Sequence, residues 1–223
     1  VEAYKPNYII TPVKDFNSSG YNFFYNKNKY KIYKKNIKKN HKFNKDLALL
    51  MSTSGTTGNP KLVRLTYQNY KDNTEKIIKS LSIKSHDSVM TTLPFNYTYG
   101  LSIINSYLSV GAKIFMNKHS IINKEFWENY KRNKPTSFYG VPFTYDLLNR
   151  LNYKNLFSKN LKFFANAGGK LNEKILRKNI IFSKNKNLKF YQMYGQTEAS
   201  PRISLLNHKF NLSRFNSIGK PLQ

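Results

Sequence analysis

The chain contains no cysteine. Disulfide frameworks, zinc–thiolate centres and cysteine nucleophiles are therefore excluded. Acid is scarce too: Asp and Glu number 11 against 38 Lys and Arg, for a formal net charge of +27. Among the bases Arg is the minor one, at positions 64, 132, 150, 177, 202 and 214. Nucleic-acid readers lean on Arg for bidentate base contacts and gather charge on one face. Here Lys is spread along the sequence, densest from Lys27 to Lys45, beside abundant Asn, Ile, Tyr and Phe. These residue types share A/T-rich codons, so compositional drift accounts for the charge, with a functional basic surface as the other reading. No apolar run approaches the ~20 residues of a membrane helix. His41, His86, His119 and His208 lie too far apart for metal-ligand spacing. No Gly-x-Ser-x-Gly nucleophile elbow occurs.

What is present suits a packed fold. The 223 residues are 39% hydrophobic and 15% aromatic, which separates the chain from disordered sequences. It opens on Val1 and stops at Gln223 in mid-phrase, so we expect an excised region of a longer protein. Residues 1–46 are Lys/Asn/Tyr-rich. Phe23-Phe24-Tyr25 and Tyr30-Lys31-Ile32-Tyr33 flank an Asn/Lys turn, the pattern of a β-hairpin. This segment is expected to be part of the same domain as the core that follows, 47–223. In that core, strands are expected at Leu47–Met51, Ser88–Thr91, Lys113–Met116, Ser137–Tyr139, Lys162–Ala165 and Leu188–Met193. Helices are expected from a Thr66 cap to about Leu81, over Gly100–Val110, from an Asn123 cap to Lys134, from Pro142 to about Leu151, and from an Asn172 cap to Phe182. Trp127, at helical spacing with Ile122, Phe126 and Tyr130, reads as core. Strand–helix alternation predicts an α/β fold: a layered, largely parallel sheet flanked by helices. Ligands of such sheets bind at the carboxyl ends of the strands.

The first of those ends carries Ser52-Thr53-Ser54-Gly55-Thr56-Thr57-Gly58-Asn59-Pro60-Lys61. Glycines let the backbone approach an anion, successive N–H groups form a concave site, and Lys61 adds a point charge. The spacing is not that of a Walker loop. Further along stand Leu93-Pro94-Phe95-Asn96-Tyr97-Thr98-Tyr99-Gly100, Ala167-Gly168-Gly169-Lys170-Leu171, Met193-Tyr194-Gly195-Gln196-Thr197-Glu198 and Ser217-Ile218-Gly219-Lys220-Pro221.

In order and spacing these segments resemble the signatures of the adenylate-forming superfamily, whose members include acyl-CoA synthetases and aryl-CoA ligases. The resemblance covers about Leu47 to Leu222 and implies part of the large N-terminal domain, without the C-terminal lid. In that family a carboxylate attacks the α-phosphate of ATP, and the acyl-adenylate then passes to a thiol. By resemblance, Thr53, Ser54, Gly55, Thr56, Thr57, Gly58 and Lys61 grip the β- and γ-phosphates. Thr197 contacts the α-phosphate and Glu198 holds Mg2+, so that Lys61, Thr197 and Glu198 are the catalytic set. Tyr194 stacks on adenine and Gly195 belongs to its turn. Gly168, Gly169 and Lys170 shape the opposite wall, and Gln192 makes a polar contact with the purine. Asn96, Tyr97, Tyr139, Gly140 and Val141 line the acyl pocket.

Three positions depart from the family pattern. Leu62 follows the motif Lys where Gly is usual, and Tyr97 stands where His is common. Asn96 stands where amino-acid-activating members carry an Asp for the α-ammonium. With Asn there an α-amino acid lacks its countercharge. The aromatic neighbours Phe95, Tyr97 and Tyr99 suit a fatty or other plain carboxylic acid. The resemblance implies a cytoplasmic ligase with ATP and Mg2+ as cofactors and coenzyme A, or a carrier-protein thiol, as acceptor. No specific nucleic acid and no membrane span is expected. The competing reading is an inactive basic scaffold or nucleic-acid-binding protein on the same fold.

Overall fold

The structure, a computed structural model, describes residues 6–13, 16–17, 19–36, 43–53, 62–151 and 156–223. The chain divides into two compact units, residues 1–45 and 46–223. In the first, β1 (Tyr8–Thr11), β2 (Tyr21–Lys27) and β3 (Tyr30–Lys35) form an antiparallel sheet of order β1-β3-β2. A hairpin joins β2 to β3, with Asn28 at φ 57° in its turn.

The second unit opens with β4 (Leu47–Ser52), paired antiparallel with β5 (Leu62–Thr66). Thr66 then starts α1 (Tyr67–Leu81) through reciprocal bonds: its Oγ1 accepts from Asn69 N–H, and Asn69 Oδ1 accepts from Thr66 N–H, both at 3.1 Å. There follow β6 (Ser88–Met90), α2 (Thr98–Ser109), β7 (Lys113–Phe115), α3 (Lys124–Asn133), β8 (Ser137–Gly140), α4 (Pro142–Arg150), β9 (Phe163–Asn166), α5 (Glu173–Asn185), β10 (Lys189–Gly195), β11 (Arg202–Leu206) and β12 (Lys220–Pro221). The central sheet runs β12-β11-β10-β9-β8-β6-β7. Its strands from β10 to β7 are parallel, while β11 and β12 close one edge antiparallel.

Strand residues alternate between two cores, because both faces of a parallel sheet are covered. The register sets Phe138 beside Phe164 and Phe164 beside Phe190, and these rings join the cluster fed by Phe126, Trp127, Tyr130, Tyr145, Leu148, Leu176 and Ile180 of α3, α4 and α5. Their neighbours Tyr139, Ala165 and Tyr191 turn to the other face, with Ile77, Leu81, Ile103 and Tyr107 of α1 and α2. At the amino ends of the strands, Asp87 is buried and ties three strand entries together. Its carboxylate accepts from Lys84 N–H at 2.9 Å and from Thr136 Oγ1 at 3.1 Å, and pairs with Lys162 Nζ at 2.5 Å. Burial pushes its pKa up; the bonds from Lys162, Lys84 and Thr136 overcome that and hold it below the ordinary carboxylate range.

Two local expectations are corrected. Ile122 is exposed and precedes α3, whereas Phe126, Trp127 and Tyr130 are buried. Asn123 occupies the N-cap of α3 but makes no side-chain cap bond, unlike Asn172, which accepts from Lys174 N–H.

Candidate active site

A groove of about 620 Å3 opens at the carboxyl ends of β9 and β10. The turn after β9, the β10–β11 connection, the first turn of α2 and the Phe215–Ile218 segment build it, with Thr53 beside them.

The turn after β9 is Ala167-Gly168-Gly169-Lys170. Gly168 has φ +79°, and a Cβ there would stand 2.5 Å from Tyr97 Oη, so a bare, left-handed backbone is needed. Asn166 is buried beneath the turn. Its Nδ2 donates to Gly169 O at 3.1 Å, while its Oδ1 has no partner among the described residues. An orphaned buried acceptor at a groove wall is a place for a ligand N–H.

In the β10–β11 connection, Gly195 pairs with Arg202 across the strands. A Cβ on Gly195 would overlap the Pro201 carbonyl, so only glycine lets the connection fold back so tightly. That return places Tyr194, Thr197 and Glu198 along the lip. Tyr194 is 41% exposed, and Glu198 is exposed at the start of a 3-10 turn. Glu198 is the only carboxylate among the described residues that line the groove. Thr98 Oγ1 and Thr197 Oγ1 are 3.2 Å apart, joining the start of α2 to the lip. Gln192 faces the groove and donates to Asn211 Oδ1 at 3.3 Å. On the far side, Ser204 Oγ donates to Ile218 O at 2.6 Å and holds the Ser217–Ile218 segment in place.

The structure thus gathers Thr53, Tyr97, Gly168, Gly169, Lys170, Gln192, Tyr194, Gly195, Thr197 and Glu198 in one groove. Ser54, Gly55, Thr56, Thr57, Gly58 and Lys61 lie outside the described residues. Asn96 is exposed and lies outside the groove lining, as do Tyr139, Gly140 and Val141. Tyr139 is 0% exposed and packs among Tyr99, Tyr107 and Phe163, so its ring supports the groove from beneath. Phe95 is 44% exposed and also outside it. Burial pushes the Tyr97 phenol above its ordinary pKa. A phenol shifted in that direction is no base near neutral pH. Sequence reading missed Thr98, Asn166 and Arg202, all groove residues. Thr98 stood in a quoted motif. Asn166 and Arg202 carried no local signal, because their significance lies in unmet hydrogen bonds that only packing creates.

A family model described as "AMP-binding enzyme" matches residues 10–223. The chain belongs to the AMP-binding enzyme family. It is 27% identical over 175 residues to 2-succinylbenzoate–CoA ligase of Bacillus cereus, a match covering 78% of this chain and 35% of that protein. Among solved structures, o-succinylbenzoate CoA synthetase of Bacillus subtilis with ATP and magnesium ion superposes at a TM-score of 0.67 and 26% identity, covering 78% of this chain and 35% of that one. A long-chain-fatty-acid–CoA ligase of Archaeoglobus fulgidus shares the fold at a TM-score of 0.66, with 24% identity and coverage of 80% and 37%. The chain thus spans about a third of the length of the relatives it matches.

Proposed function

We propose that this chain supplies the nucleotide floor and one wall of the acid pocket in a ligase. That ligase activates a carboxylic acid with ATP, releases pyrophosphate and passes the acyl group to a thiol. The observation that carries the reading is the convergence of Tyr194, Thr197, Glu198 and the Gly168–Lys170 turn on one groove at the strand ends. The donor set suits the nucleotide. Tyr194 offers an exposed ring face, Asn166 Oδ1 a free acceptor for an exocyclic amine, and the Gly168–Gly169 turn a backbone surface without side chains. Glu198 offers an exposed carboxylate of the kind that hard cations select. Bound there, Mg2+ would supply positive charge to the phosphate oxygens. Residues Thr53 to Lys61 would hold the β- and γ-phosphates.

The difficulty of the reaction is that one anion must attack another. Thr197, fixed by its contact with Thr98, holds a hydroxyl at the lip where the two meet. Lys61 supplies charge, and the groove wall orients the acid, so that attack proceeds from a held geometry. The substrate class rests on the motif resemblance, which favours a fatty or other plain acid over an α-amino acid, since Asn96 itself is exposed and outside the groove lining. Coenzyme A is the acceptor that the relatives' names support, with a carrier-protein thiol as the other thiol source. A cytoplasmic setting goes with ATP and coenzyme A; among the described residues no helix is long and apolar enough to cross a membrane. An inactive basic scaffold would have no use for Lys61, Thr197 and Glu198 together and is not favoured. In the full-length protein, Lys61→Ala and Glu198→Ala should each lower acid-dependent ATP–pyrophosphate exchange by 100-fold or more, on the order expected for a lost transition-state contact. Near-normal exchange in both variants would refute these roles.

A further inference from the structure

Arg202 is 3% exposed, yet it lines the groove. Its backbone is fixed: Asn73 Nδ2 donates to Arg202 O at 2.7 Å, and the residue pairs with Gly195 across β10 and β11. Its guanidinium lies over the ring of Tyr99 at 4.8 Å and that of Tyr139 at 5.3 Å. Nη1 approaches Met193 Sδ at 3.5 Å. The Tyr139 hydroxyl also interacts with the guanidinium, while Nε and Nη2 have no hydrogen-bond partner among the described residues, and Arg202 makes none of the ion pairs found there. A buried charge left unpaired is costly, and two aromatic faces recover only part of that cost. Nε and Nη2 are also the two nitrogens of one edge of the guanidinium. Their N–H bonds run parallel, at the spacing of the two oxygens of a carboxylate.

We propose that this edge of Arg202 is an anion receptor in the acid pocket, and that the acid activated here carries a second carboxylate on its acyl part. The inference rests on the adenylate-forming reading above and narrows its substrate class. Depth decides which carboxylate Arg202 meets. The reacting carboxylate must reach the nucleotide at the lip, where Glu198 is exposed and Thr197 is half-buried. Arg202 is enclosed beside the Tyr99 and Tyr139 rings, where a remote part of the acid would lie. Pairing it with the attacking carboxylate would quench the nucleophile; pairing it with a distant one orients the acid and leaves the attacking oxygen free. The second carboxylate brings the countercharge, and the Tyr97, Thr98 and Tyr99 side of the groove receives the carbon chain between the two ends.

The test uses the full-length protein and length-matched acid pairs. Each pair has one methyl-ended and one carboxylate-ended member, from butanoate with succinate to decanoate with sebacate, plus an aromatic pair. In acid-dependent ATP–pyrophosphate exchange, the wild type should favour a dicarboxylate of one length class over its partner by about 100-fold in kcat/KM, as expected for a desolvated bidentate pair. Arg202→Met should abolish that preference, chiefly through KM, with the dicarboxylate losing far more than its methyl-ended partner. Arg202→Lys should restore only part of it, because an ammonium lacks the fork. Direct binding guards against a variant that fails to fold: the preferred dicarboxylate should raise the wild-type melting temperature, and its methyl-ended partner should not. Exchange with plain acids only, or an equal loss on both members of a pair in Arg202→Met, would overturn the Arg202 inference and leave the ligase reading standing. Exchange with no acid at all would overturn both.

Discussion

Asp87→Asn isolates the tie at the amino ends of the strands. The substitution keeps shape and removes charge. Asp87 Oδ1 takes Lys162 Nζ at 2.5 Å and Thr136 Oγ1 at 3.1 Å, and Oδ2 takes Lys84 N–H at 2.9 Å. An amide has one acceptor oxygen, so its NH2 must face at least one of these donors. Losing a hydrogen bond to a charged group costs about 1.5–3 kcal/mol, and stranding a buried donor adds more. The Lys162 side chain is 48% exposed, so water satisfies it once freed and its share falls toward the low end. The net expectation is a loss of about 2–4 kcal/mol, or a melting-temperature drop of about 5–12 °C for a domain of this size. The pH dependence has a definite sign. The folded carboxylate is held below its unfolded value, so its contribution is fully present above about pH 4 and fades as pH falls through the folded value. The gap between wild type and variant should therefore narrow below pH 4. Urea unfolding followed by the fluorescence of the single Trp, Trp127, at pH 7 and pH 3.5 measures both. A loss under 0.5 kcal/mol at pH 7, or a gap that widens on acidification, would refute the reasoning.

Thr66→Ala removes one half of the capping box of α1 and should cost about 1 kcal/mol in the same unfolding assay, against about zero for an exposed mid-helix change such as Lys71→Ala. Gly168→Ala places a Cβ against Tyr97 Oη at a left-handed φ. It should weaken ATP binding at least tenfold by calorimetry, and Gly168→Ala with Tyr97→Phe should regain part of that loss; unchanged affinity in the single variant would refute the need for a bare turn.

The α/β alternation was legible because helix periodicity, caps and Pro142 all marked the same boundaries. Phe138, Phe164 and Phe190 declared their strands as apolar runs between turn residues. β5 was not read as a strand: only Leu62, as a departure after the motif Lys, and Thr66, as a helix cap, were singled out there, and the pairing of β5 with β4 is a contact between chain segments ten residues apart. The antiparallel edge was missed for a similar reason, since β12 is two residues long and has no pattern of its own. The candidate site was legible where a motif is contiguous, as in Tyr194–Glu198 and Gly168–Lys170. Tyr139 was placed in the acid pocket because it borders Gly140 and Val141, but strand alternation turns its ring into the core beside Tyr107. Arg202 was invisible for the opposite reason. Its neighbours Tyr99, Tyr139 and Met193 come from three different elements, so nothing local marks a buried cation with an unpaired edge.

The central claim is that this groove forms an acyl-adenylate. The most direct measurement is mass spectrometry of the full-length protein incubated with ATP, Mg2+ and an acid panel without any thiol. The expected result is an enzyme-retained species at the mass of acid plus AMP minus water, formed with equimolar pyrophosphate and absent in Glu198→Ala. Phosphate and ADP as the only products, or an adenylate that forms equally in Glu198→Ala, would contradict it.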